Sequence, residues 1–71
     1  MSVIRETVTF KQFKSMVNQL ETLGTTIEKE KIGEEFVTYA KTPKGKKIFK
    51  GIVHKDGTVY ASWIDGLFDR H

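Results

Sequence analysis

Polar and apolar positions change period once along this chain. Val3–Val8, VIRETV, is short and rich in β-branched residues, which predicts a strand. Phe10, Phe13, Met16, Val17, Leu20 and Leu23 then recur every three or four residues, so a helix over 10–23 carries one apolar stripe. Thr9 and Gln12 fit a capping box at its start, and Val8 and Phe13 stand at the two positions of a hydrophobic staple. Gly24 occupies the place of a left-handed C-terminal glycine.

Beyond Gly24 the period falls to two, and glycine closes three short segments, Lys31–Gly33, Pro43–Gly45 and Lys55–Gly57. A glycine in third place suits a three-residue hairpin loop, and Pro43 has its φ preset for the first turn position. Four consecutive antiparallel strands are expected, over 25–30, 34–42, 46–54 and 58–64. The loop at 55–57 sets Val53 opposite Val59, Gly51 opposite Ala61 and Phe49 opposite Trp63. A two-residue loop would instead put Lys50 opposite Trp63, mixing polar and apolar residues on both faces. The same reasoning at the other loops pairs Tyr39 with Phe49, Val37 with Gly51 and Ile27 with Val37. One sheet face then reads Ile27, Val37, Tyr39, Phe49, Gly51, Val53, Val59, Ala61 and Trp63, with small residues at its centre where a helix can lie. The first hairpin fits worst, because this register sets Glu30 beside Glu34. Residues 64–71 are expected to form a turn or short cap using Leu67 and Phe68.

The expected fold class is α+β. Its element order is β-α-β-β-β-β, one helix gripped by a curved antiparallel meander, in a single domain over residues 1–71. This order is similar in outline to the cystatin-like helix-grip folds. The Gln-x-Val-x-Gly loop with which cystatins block thiol proteases is absent, so the resemblance implies a fold and no activity.

Composition narrows the chemistry. A chain of 71 residues hides only about 60% of its unfolded surface on folding, and its core supplies about 3–5 kcal/mol. There is no cysteine, which removes disulfides, thiolate zinc sites and cysteine nucleophiles. His54 and His71 are the only imidazoles, so no metal centre and no cofactor are expected. His54 reads as a solvated turn residue, and Asp69 and His71 stand at a chain end where fraying is the rule. Gly33, Gly45 and Gly57 sit in hairpin turns, unlike the glycines of a phosphate loop. No enzyme activity is expected. The apolar runs are too short to span a bilayer and MSVIRETV has no signal-peptide pattern, so the expected compartment is cytoplasmic.

Two binding readings survive. In the expected register the second sheet face carries a cross-strand row of Phe36, Ile52 and Tyr60, with Ile48 and Ile64 beyond it. A contiguous apolar patch on a face that should be solvated marks an interaction surface. The first reading is therefore a non-enzymatic module that acts through a protein–protein interface, as inhibitor, subunit or homodimer. The second rests on charge. The net charge is +3, yet Lys41, Lys44, Lys46, Lys47, Lys50 and Lys55 crowd into fifteen residues without an acid. Those lysines on phosphates, with Phe36 and Tyr60 under bases, would make a nucleic-acid-binding protein. The block has no arginine for bidentate base contacts, so such binding would follow the backbone.

Overall fold

The structure, a computed structural model, describes residues 3–68. Asp69 and His71, and the end of the expected C-terminal cap, lie outside them. The elements are β1 (Val3–Val8), α1 (Phe10–Thr22), β2 (Thr26–Ile32), β3 (Glu35–Lys41), β4 (Lys47–Val53) and β5 (Val59–Ile64). All five strands form one antiparallel sheet in the order β1-β5-β4-β3-β2, and the sheet is not closed. The α+β meander with one helix is as expected. Strand β1 docks on the edge of β5, with Ile4 opposite Trp63 and Val8 opposite Val59.

The helix begins and ends on local chemistry. The Gln12 amide N–H donates to Thr9 Oγ1 and the Thr9 amide N–H to Gln12 Oε1, each at 3.0 Å, which completes the capping box. At the other end Gly24 has φ 88°, a left-handed value that side chains other than glycine rarely adopt. Thr25 N–H then reaches the Leu20 carbonyl at 3.2 Å and Gly24 N–H the Glu21 carbonyl at 3.0 Å, a Schellman motif. Thr9→Ala should cost about 1 kcal/mol, or about 4–8 °C of melting temperature in a domain this small. An unchanged thermal midpoint by circular dichroism would show that the box carries no stability.

The β4–β5 hairpin has the expected register: Phe49 faces Trp63, Gly51 faces Ala61 and Val53 faces Val59. The other two hairpins differ, each for a definite reason. At Pro43–Gly45 the loop is as expected, with Thr42 N–H bonded to the Lys46 carbonyl at 2.8 Å and Lys41 opposite Lys47. One residue later the register slips, so that Ala40, not Tyr39, faces Phe49. The extra residue is Ile48. A bulge aims it inward, where it is buried in the same cluster as Phe49. That single step turns β3 over. Phe36, Thr38 and Ala40 now lie on the helix side, and Val37 and Tyr39 lie on the outer side.

The first hairpin has a two-residue loop, with Ile32 opposite Glu35. Gly33 is its first residue at φ 62° and Glu34 is not left-handed, which is the II′ arrangement and not the expected three-residue loop. Glu30 now faces Val37. The Glu30–Glu34 clash is gone, and Glu34 reaches Lys55 at 3.1 Å across the sheet end.

The core lies between α1 and the inner face. Phe13, Leu20, Ala40, Ile48, Phe49, Val59, Ala61 and Trp63 are buried together, with Met16 and Val17 packed against them. Phe10 and Leu23, expected in the core stripe, are exposed at the helix ends. Leu67 and Phe68 cover the Trp63 end, as expected. The Phe68 ring meets Trp63 edge-on at 5.5 Å and Phe49 at 5.9 Å. No helix among the described residues is long and apolar enough to cross a membrane.

Candidate functional site

Turning β3 over divides the expected binding surface. Ile52 and Tyr60 do share the outer face, Tyr60 with Thr7 and Ile52 on either side. Their third member is Val37, not Phe36. Val37 is buried and Ile52 half-buried, which leaves the 38%-exposed Tyr60 ring as the main apolar handle of that row.

The six lysines also part company. Lys44 and Lys46 stand in and beside the β3–β4 loop. Lys47 lies with its Nζ 4.1 Å from the centre of the Tyr39 ring, and Lys50 at 6.0 Å, both as cations over that ring. Lys41 is bound to Glu28 at 3.0 Å. Lys55 sits at the opposite end of the sheet, paired with Glu34. A strand rises about 3.3 Å per residue, so the length of β4 separates Lys55 from the loop lysines by roughly 20 Å. The block is continuous in sequence, but Lys55 is separated in space from the other five.

At the Lys55 end His54 Nδ1 contacts Glu35 Oε2 at 2.5 Å, and both side chains are partly exposed. Thr58 N–H donates to the Asp56 carboxylate at 2.9 Å, which holds that carboxyl below its usual range. These contacts shape a turn. No group of three or more His, Asp or Glu residues that could hold a metal ion occurs among the described residues.

The feature that sequence reasoning missed is on the inner face. Helix α1 lies with Phe13 over Gly51 and Met16 toward β1 and Trp63, so it covers one half of the sheet. Beside Phe36 and Thr38 the inner face stays open as a cleft of about 390 Å³ between α1 and β3, whereas Ala40, further along the same strand, is fully buried. Phe13, Val17, Thr38 and Val53 line it. Phe10 and Phe36 wall it, and they are 54% and 55% exposed. The cause is the composition of β2. Its inward positions are Ile27, Lys29 and Lys31, opposite Ala40, Thr38 and Phe36. Only Ile27 is apolar, so the helix has no reason to extend over the rest. The signal was available in the sequence: a strand with lysine at alternate positions does not line a closed core.

The free edge of β2 is guarded as well. Glu28 and Glu30 share the outer face, and Lys29 and Lys31 share the inner one. Antiparallel pairing through the middle of two such strands sets like charges opposite each other, which opposes edge-to-edge growth.

No protein-family model, no curated protein and no solved structure matches this chain.

Proposed function

We propose that the protein is a small non-enzymatic binding module that docks a segment of another protein in the cleft between α1 and β3. The observation that supports this is the pair of half-exposed phenylalanines, Phe10 and Phe36, standing on either side of an open apolar floor. Single exposed apolar residues are ordinary, but two large rings around a continuous apolar depression match the anchor-and-pocket anatomy of protein interfaces. The protein–protein reading from the sequence is thus kept, and its centre moves from the outer sheet face to the cleft. The nucleic-acid reading is weakened, because Lys41 and Lys55 are paired with carboxylates and Lys55 lies at the far end of the sheet from Lys44, Lys46 and Lys47.

A phage-displayed random peptide library tests the proposal. Clones should be enriched on the parent protein. They should lose at least about tenfold in affinity on Phe36→Ser, as truncation of an interface aromatic does. They should bind Tyr60→Ser, altered on the opposite face, like the parent. Both variants should melt near the parent temperature, since neither ring is buried. Clones that depend on Tyr60 and ignore Phe36 would return the interface to the outer face. No clone that distinguishes the parent from Phe36→Ser would overturn the proposal.

A further inference from the structure

We infer that the occupant of the cleft is an apolar segment with acidic flanks, a refinement that rests on the docking proposed above. The cleft floor is apolar, but its rim is basic. Lys14 Nζ lies 5.8 Å from the centre of the Phe10 ring, Lys31 Nζ lies 5.7 Å from that of Phe36, and Lys29 lines the wall between them. Glu21 is the one carboxylate lining the cleft. The ion pairs among the described residues involve Lys41, His54 and Lys55, so none of the three rim lysines has a carboxylate within pairing distance there. The ammonium groups of Lys14 and Lys31 thus stand over the two rings that wall the cleft.

The charge of the rim selects the occupant. A second copy docked through the same cleft would set these three lysines against three identical ones, on chains that each carry a net charge of +3. Juxtaposed like charges cost several kcal/mol at an interface, so the surface is built against itself. A small molecule is disfavoured by shape. Tight small-ligand sites enclose about 70–90% of their ligand, and this cleft is open along one side. A protein segment needs no enclosure. It can lay two bulky side chains between Phe10 and Phe36 and leave its flanks at the rim, where carboxylates meet Lys14, Lys29 and Lys31. Those charges act mainly on orientation and on the rate of encounter, while the rings hold the complex.

The test reads the sequences and the salt response of clones that require Phe36. Asp and Glu should be enriched on either side of a pair of bulky apolar residues. The best clone, made as a fluorescein-labelled peptide and followed by anisotropy, should weaken about fivefold or more between about 50 and 300 mM sodium chloride. Lys14→Glu combined with Lys29→Glu should weaken it by about tenfold, at an unchanged melting temperature. The same peptide with its acids replaced by lysine should reverse the preference and bind the doubly reversed variant better than the parent. Phe36-dependent clones with neutral or basic flanks, or indifference to the charge reversal, overturn this inference and leave the docking proposal standing. A labelled thymidine oligonucleotide that displaces the peptide and requires Lys14 and Lys29 overturns it in favour of a nucleic acid. Absence of any Phe36-dependent clone overturns both.

Discussion

Gly51→Leu should leave no cooperatively folded protein at 25 °C. Gly51 lies in β4 directly beneath α1. A Cβ built on it would stand 2.2 Å from Cε1 of Phe13 and 3.0 Å from Cδ1 and Cζ of the same ring. A flexible side chain could retreat from such a contact, but Phe13 cannot do so at low cost. It is buried, its ring is stacked on Phe49 at 6.1 Å, and its backbone is fixed in the first turns of a capped helix. Relief therefore requires the helix to lift from the sheet. Opposing this is the lower chain entropy of the unfolded state, worth about 0.4–1 kcal/mol when glycine acquires a side chain. Overpacking costs about 1–3 kcal/mol for added methylenes that can still be accommodated. Leucine adds more than this site can take, and the core of a domain this size supplies only about 3–5 kcal/mol. Urea unfolding followed by Trp63 fluorescence is the measurement. Gly51→Ala should sit between the parent and Gly51→Leu. Combining Gly51→Leu with Phe13→Ala should recover part of the loss, because the two changes share one contact. A parent-like urea midpoint for Gly51→Leu would mean that Gly51 does not face α1.

The sequence made the closest approach of helix and sheet legible because the β4–β5 hairpin carries a single consistent signal. Val53, Gly51 and Phe49 alternate with Ile52 and Lys50, and only one loop length keeps the apolar set on one face. The strand β3 carried no such signal. In EFVTYAK both parities are apolar, Phe36 and Ala40 on one and Val37 and Tyr39 on the other, so turning it over costs little in pattern and alternation cannot orient it. What decides it is the bulge at Ile48. Two adjacent apolar residues bracketed by Lys47 and Lys50 can both face the core only if the strand carries an extra residue. That clue is weak in isolation, since a single apolar residue on an outer face is unremarkable. The position of Gly33 is ambiguous for a related reason: a glycine closing one loop equally opens a shorter one. The two differences compensate at Ile27, which lies on the helix side in both registers, opposite Ala40 instead of Val37. They do not compensate at Phe36. The sequence pattern puts Phe36 on the outer face, whereas in the structure it is exposed on the inner one, with a different set of neighbours.

Phe49→Ala should be as damaging as Gly51→Leu, by the opposite route. Phe49 is 2% exposed and among the largest fully enclosed side chains. Its ring stacks on Phe13 and takes the edge of Phe68, and it lies between Ala40 of β3 and Trp63 of β5 in the sheet. It therefore joins the helix, the sheet centre and the C-terminal turn. Truncation removes the transfer free energy of the ring and leaves a cavity that the neighbours cannot close without losing one of those three contacts. Changes of this kind cost about 3–5 kcal/mol, which is the whole of what a core this small supplies. The melting temperature should fall by about 15 °C or more if any folded population survives. The near-ultraviolet circular dichroism of Trp63 should weaken at temperatures below the transition, because Phe68 loses the ring that helps hold it against the indole. Phe49→Leu should keep a two-state transition at reduced stability, since leucine refills much of the space between Phe13 and Trp63. The contrast with Tyr60→Ser separates the two faces of the sheet. The same loss of an aromatic ring should be nearly silent on the outer face and decisive beneath the helix. Equal and small effects at the two positions would mean that the helix, and not the sheet face bearing Phe49, holds the fold together.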